Sequence, residues 1–553
     1  MIWASAALAA TVEVAKGEDL QAALDAANDG DVVIIATDFS PSAAYVEIRD
    51  KDLVIKGDGG QAQVPPIHAY DGSLTLRQLR IAEGGNGIWP VLVLVDGGTE
   101  SALLDRVELY DNAERAAFEA MSGTLDVEIR SSVFEANGGD GGMQLAYASL
   151  VVDNTSFLDN DNWGQGGAIW TKGATSVEVK WSNFERNTAG DDGGALAFTD
   201  GGGAPVTILG STFRDNASEA SGGDVFVEGH SLQMRYVASL DGVAVDGGFL
   251  YSVEASELQL DDLDIHRPKA ADAGGAIAIE DCTSVRLARS LICGATNASA
   301  SGFVGAAVHV DHGNTVNLTM ENVIFQGTAG STNSPAFWLI GAHLDVRNST
   351  FASNDWNHVV TGQALESLHV ENVLVDDQST FLNYDEVFGE ISGSHNLFHD
   401  ITSTPFEPRE EIDPVLWTGD PYVVADDPVF VTGYDPADCS TLPRLGDGSP
   451  AIDAGNGLDP DKSPADIGAF GGSNSADLFD WPERPESPDT GLEDTADTAP
   501  GGDSEPERDS TTDTATPAAS TRWLGGGCRG GAASGLLLVV AGLIAATGRR
   551  RIG

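Results

Sequence analysis

Gly166-Gly167-Ala168-Ile169-Trp170-Thr171-Lys172-Gly173-Ala174-Thr175-Ser176-Val177-Glu178-Val179-Lys180-Trp181-Ser182-Asn183-Phe184-Glu185-Arg186-Asn187 decides the fold. It reads as short strand, turn, short strand, turn. Val177 and Val179 alternate with Glu178 and Lys180, the period of a half-buried strand. No part of it has room for a helix of ordinary length. Its two marks, a glycine pair and Phe-x-x-Asn, recur along the chain. Phe-x-x-Asn stands at 134–137, 157–160, 184–187 and 213–216. The pairs open at Gly141, Gly166, Gly193, Gly222, Gly247 and Gly274, so successive spacings are 25, 27, 29, 25 and 27 residues. A period in this range predicts a stacked repeat, here an all-β parallel solenoid with one coil per unit. Coils rise by the strand spacing of roughly 4.8 Å, and each buries its inward residues against the next.

Each mark has a predicted physical role. The Phe points inward and stacks on the next coil's Phe. The Asn suits a corner, where it tolerates the left-handed conformation and bonds local backbone. The glycine pair turns where a Cβ would collide. Looser units continue through Leu291-Ile292-Cys293, Val323-Ile324-Phe325, Phe351-Ala352-Ser353-Asn354 and Asn396-Leu397-Phe398. The pattern covers roughly residues 45–400, or about 14 coils at one strand spacing each.

Phe-x-x-Asn combined with Gly-Gly-Ala-Ile or Gly-Gly-Ala-Leu resembles the repeat pair of the chlamydial polymorphic outer-membrane proteins. More broadly it resembles the right-handed parallel β-helix, pectin-lyase-like superfamily. That resemblance implies a right-handed parallel β-helix. A helical pattern at 18–27, stopped by Asn28-Asp29-Gly30, reads as its N-terminal cap. Ser449 to Gly455 and Asp466 to Gly472 read as a C-terminal capping segment, with Asp453 and Asp466 bonding turn amides.

The organisation expected is a partial signal peptide at 1–10, the β-helix with its caps at 11–481, a stalk at 482–522 and a tail at 523–553. Ala7-Leu8-Ala9 fits a small-residue cleavage site. The stalk is Asp, Thr, Glu, Pro and Gly with almost no large apolar side chains, so it cannot bury enough surface to fold. Gly527-Cys528 then precedes an apolar run at 532–547 and Arg549-Arg550-Arg551. A run this long is short for a membrane span but workable with flanking glycines. The tail resembles the myxobacterial C-terminal sorting signal. By that resemblance a sorting protease acts near Cys528, and the protein is displayed at the cell surface or outer membrane. Cys282 and Cys293 are the pair that an oxidising compartment would allow to bridge, with two separate buried thiols the alternative; Cys439 has no evident partner.

The net charge of −56, from 85 acidic and 29 basic residues, argues against nucleic-acid binding. It also disfavours acidic polymers unless calcium or a local basic cleft intervenes. Calcium is the cofactor such a composition suits. Its candidate clusters are Asp191-Asp192, Asp261-Asp262 with Asp264, and Asp376-Asp377, although no EF-hand loop or calcium-binding nonapeptide array specifies a site. Solvated outward carboxylates explain the same residues.

The pectin-degrading hydrolases carry Asn-Thr-Asp, Asp-Asp, Gly-His-Gly and Arg-Ile-Lys motifs. Only Asp-Asp occurs here, with Glu228-Gly229-His230 the nearest approach to the histidine motif. Weak catalytic candidates are therefore Asp191, Asp192, His230 and Arg235, with Lys180 a further basic group. Trp163, Trp170, Trp181, Trp338 and Trp356 lie along the coils, and rings on an exposed sheet face stack on sugars. Trp163 and Trp356 adjoin Asn/Asp corners and are the ones expected to be exposed. The function expected is a secreted, surface-anchored β-helix in adhesion or glycan contact, with a polysaccharide or cell-surface component as partner. The alternatives are a polysaccharide lyase or glycoside hydrolase of the same fold, and an architectural envelope protein.

Overall fold

A computed structural model describes residues 9–475 apart from 83–91, 122–124, 300–303, 312–315, 331–334, 353, 355–358, 364, 377–381, 385–389, 400–405, 409–416, 419–422, 425–426 and 436–437. The stalk and the tail with Cys528, together with Trp356, lie outside the described residues.

The strands are short and pair parallel with their counterparts one repeat on. In the deciding stretch the coil is Ile169–Lys172, Ser176–Lys180, Asn183–Glu185 and Thr188–Ala189. Ile169 pairs with Leu196, Val177 with Val206, Asn183 with Thr212 and Thr188 with Ala217. Four ladders result, here termed the glycine-led, long, Phe and short sheets. Alternation sends Val177 and Val179 inward and leaves Glu178 and Lys180 at the surface.

Phe134, Phe157, Phe184 and Phe213 form the predicted inward stack, with centroids 4.6, 5.1 and 4.9 Å apart. The second glycine of each pair has no room for a side chain. A Cβ on Gly194 would lie 2.1 Å from the Gly223 carbonyl oxygen, and one on Gly223 would lie 2.1 Å from that of Gly248.

The asparagines depart from expectation. The left-handed residue is the one before each Asn: Ala136, Asp159, Arg186 and Asp215, at φ near +54°. The Asn itself turns inward and is fully buried. Each Asn Oδ1 accepts from the Asn one coil earlier, at 2.8 Å for Asn137 to Asn160, 2.9 Å for Asn160 to Asn187 and 3.0 Å for Asn187 to Asn216. Nδ2 of Asn160, Asn187 and Asn216 also donates to a Phe carbonyl, as Asn187 does to Phe157 at 3.0 Å, and that of Asn137 donates to the Leu109 carbonyl at 3.1 Å. Burial decides this, because an amide can form a continuous ladder along the stack and so leave neither end unpaired.

The ladder ends at coil 239–242, where Ser239 replaces the Phe and Gly242 replaces the Asn. Two substitutions in the glycine-led motif compensate. Phe249 packs edge-on to Phe213 at 6.4 Å. The carboxyl of Asp224 accepts from Asn216 Nδ2 at 2.9 Å and from Ser239 Oγ, and reaches the space beside Gly242.

The N-terminal helix Leu20–Ala26 forms as predicted. Asp19 caps it by accepting from the Ala22 amide, and Leu20 and Leu24 are buried. At the other end, the described part of segment 427–475 lies along the outer face of the Phe sheet. That face is polar over the early coils but apolar at Leu291, Ile324, Leu374 and Leu397, which pack against Leu442, Ala469, Ala451 and Ile467. Asn322 Nδ2 donates to the Ala469 and Gly471 carbonyls at 2.9 and 2.8 Å. Asp466 accepts from the Asp453 amide at 2.8 Å, the predicted turn role. A disulfide joins Cys293 to Cys439, with Cα atoms 5.7 Å apart. This corrects the Cys282–Cys293 expectation. Cys293 faces outward to the covering segment, whereas Cys282 is a buried free thiol beside Ser252.

Candidate functional site

The outward positions of the glycine-led sheet form one continuous row. Gln144, Trp170, Ala197, Phe226, Tyr251, Ala278, His309, Trp338 and Thr361 are successive register partners. Four of the nine are Trp, Tyr or Phe. Phe226 and Tyr251 stack at 5.6 Å with planes 6° apart. Trp170 and Tyr251 are half-buried, while Phe226 and Trp338 are nearly covered. Small residues, Ala197 and Ala278, separate the aromatic positions.

The turn before each glycine pair forms a wall beside this row. Gln165, Asp192, Ser221 and Asp246 occupy equivalent places in successive coils. Gly166 N donates to the Asp192 carbonyl at 2.9 Å, and Gln165 Nε2 donates to the Asp192 carboxylate at 2.9 Å. Trp170 Nε1 donates to Gln165 Oε1 at 3.1 Å, which ties the indole to the wall. Burial pushes the Asp192 carboxyl above its ordinary range, against the pull of bonds from Gln165 and the Ser221 amide. Burial raises Asp246 in the same way. The phenol of Tyr251 is pushed well up, first by burial, then by its hydrogen bond to Glu280, and further by the Asp246 and Asp192 charges. Rings and desolvated carboxylates therefore stand together, offering apolar contact and strong hydroxyl acceptors.

Asp192 belongs to this face, whereas Asp191 is exposed beside it. His230 lies inside the solenoid, fully buried. Its Nδ1 is 3.0 Å from the Ala204 carbonyl, its ring fills the space left by Gly201, and burial lowers its pKa. Arg235 is on the long sheet, stacked over Tyr236 and bonded to Asp262 at 2.9 Å. Lys180 pairs with Glu178 at 3.0 Å. The catalytic candidates thus occupy separate faces and the interior.

The calcium candidates Asp261, Asp262 and Asp264 also separate. Asp262 is buried at a left-handed corner and receives Arg235 and Arg289. Asp261 pairs with Arg286 and lies 3.7 Å from Arg289. Asp264 holds His266 Nε2 at 2.7 Å on the Phe sheet. Asp376 contacts His399 Nδ1 at 2.6 Å, and Asp377 lies outside the described residues. Among the described residues, no group of three or more His, Cys, Asp or Glu side chains is placed to hold a metal ion.

Trp163 is 71% exposed at a corner, as predicted, but it is not among the register partners of the aromatic row. The row itself was accessible to sequence reasoning. The register set by the glycine pairs aligns Trp170 with Phe226 and Tyr251, because each follows its pair at the same offset.

No curated protein is significantly similar to the chain. The family model for the right-handed β-helix region matches residues 67–235. With its parallel ladders and inward stacks, the chain folds as a right-handed parallel β-helix.

Proposed function

We propose that this protein contacts an extended glycan along the outer face of its glycine-led sheet, acting as a surface-displayed binding or adhesion module. The observation that carries this reading is the single row of Trp170, Phe226, Tyr251 and Trp338. Trp170 and Tyr251 are three register steps apart, or roughly 14 Å at the strand spacing, about the length of an extended trisaccharide. Sugar rings would stack on the half-buried Trp170 and Tyr251, which the nearly covered Phe226 and Trp338 flank in the row, and Asp192, Asp246 and Glu280 would accept their hydroxyls. Secretion, recognition of the tail by a sorting protease near Cys528, and display at the cell surface on the stalk complete the proposal on the strength of the sequence pattern.

The test is retention of the purified full-length chain on immobilised plant, algal and bacterial polysaccharides. Trp170→Ala and Tyr251→Ala should each weaken retention about tenfold, the equivalent of about 1.4 kcal/mol. Trp163→Ala should leave it unchanged. Retention that ignores all three substitutions would sink the assignment of this face. A second reading is favoured by the raised Asp192 and Asp246 carboxyls. Groups shifted this way suit a general acid in glycoside hydrolysis. New reducing ends that disappear in Asp192→Asn would establish it over simple binding.

A further inference from the structure

The early, uncovered part of the Phe sheet carries a second concavity on a different face from the aromatic row. Its outward residues in successive register are Asn183, Thr212, Ala238 and Asp264, flanked by Glu185, Arg214 and His266. Ala238 is the small member of that row, and the hollow over it has a volume of about 360 Å³, enough for a molecule of one sugar ring.

The carboxylates lining the hollow are already engaged. Glu185 is held by Arg186, and Asp264 by His266 Nε2 at 2.7 Å. Asp241, whose carboxylate senses the Arg214 charge, is bonded by Arg267 and approached by Lys269 at 3.8 Å. Arg214 is exposed and has no carboxylate within 4 Å among the described residues. In a chain of net charge −56 this is unusual, since the neighbouring arginines Arg186, Arg235, Arg267, Arg286 and Arg289 each hold an acid. Thr212 Oγ1 donates to Asn183 Oδ1 at 2.8 Å, which leaves the Asn183 Nδ2 hydrogens to donate elsewhere.

We propose that this hollow binds the carboxylate of a small acidic ligand about one sugar ring in size. The guanidinium fork of Arg214 supplies two parallel donors and Asn183 Nδ2 a third. The rest of the ligand sits over Ala238. The hollow brings one guanidinium that holds no carboxylate within 4 Å among the described residues to an otherwise acidic surface. The site is separate from the aromatic row and does not depend on glycan contact there.

The test is calorimetric titration of the full-length chain with glucuronate, inorganic sulfate and glucose. Glucuronate should bind, glucose should not, and Arg214→Gln should weaken glucuronate at least tenfold. Ala238→Leu, which fills the hollow without removing charge, should do the same. Trp170→Ala should have no effect, which separates failure here from failure of the aromatic row. Absence of glucuronate binding, or binding indifferent to Arg214→Gln and Ala238→Leu, would overturn the proposal. Sulfate binding as tight as glucuronate, and equally lost in Arg214→Gln, would overturn the carboxylate assignment in favour of a general oxyanion site.

Discussion

Asp224→Asn should stabilise the protein, and the gain should grow with pH. Asp224 is fully buried at the end of the asparagine ladder, where Asn216 and Ser239 donate to it. Burial raises its pKa from 3.8 to about 7, only partly offset by those two bonds. A carboxyl raised in the folded state binds its proton more tightly there than in the unfolded chain. Its contribution is therefore complete below about pH 4 and is lost as pH climbs towards 7. Three pH units at 1.36 kcal/mol each make the ionised group cost about 4 kcal/mol by pH 8. An amide of the same shape has no such charge. Its Oδ1 accepts from Asn216, and its Nδ2 donates to Ser239. The assay is urea unfolding of parent and variant from pH 4 to 8, read as the difference between them because many other acids also titrate. The difference should be small at pH 4 and open to about 3–4 kcal/mol at pH 8. A difference that stays flat across this range would show that Asp224 does not end the ladder as a buried, protonated acid.

Further outcomes follow from the coil and its covering segment. Asn187→Ala removes the acceptor of the Asn160 amide and side chain, and should cost about 2–4 kcal/mol in chemical denaturation. Gly194→Ala places a Cβ 2.1 Å from the Gly223 oxygen and should cost about 3 kcal/mol or more. Gly164→Ala, whose nearest contact would be 3.5 Å away, should be nearly neutral by the same measurement. Cys293→Ser opens a loop of 146 residues and should cost about 3–5 kcal/mol. Limited proteolysis should then cut within 427–475 before the coils, whereas Cys282→Ser should not change that order.

The fold was legible because its marks are local. A glycine pair at fixed spacing and a Phe three residues before an Asn state the register of a parallel stack without any long-range information. The conformation of the Asn was not legible, because left-handed tolerance and a buried amide ladder ask for the same residue. Only burial separates them, as Asn160 and its neighbour Asp159 show. The compensations around Ser239 and Gly242 were also hidden. Asp224 and Phe249 sit in the glycine-led motif, on a different sheet from the gaps they fill, so the Phe-x-x-Asn pattern does not point to them. The disulfide was missed for a related reason. Cys439 belongs to a segment that returns along the flank of the solenoid, and no coil periodicity predicts where it lands. At the candidate site, prominence misled: Trp163 adjoins a corner and is exposed, but Trp170 gains its significance from alignment with Phe226 and Tyr251 two and three coils on.

The central claim is best tested by the dependence of affinity on glycan length. Trp170 and Tyr251, the half-buried rings of the row, are three register steps apart, roughly 14 Å at the strand spacing, or about three sugar rings. Binding of the full-length chain to oligosaccharides of the retained polysaccharide should tighten with each added ring up to about that length and then level off, and Tyr251→Ala should flatten the rise. Affinity that is independent of length, or the absence of binding to any glycan, would contradict the account.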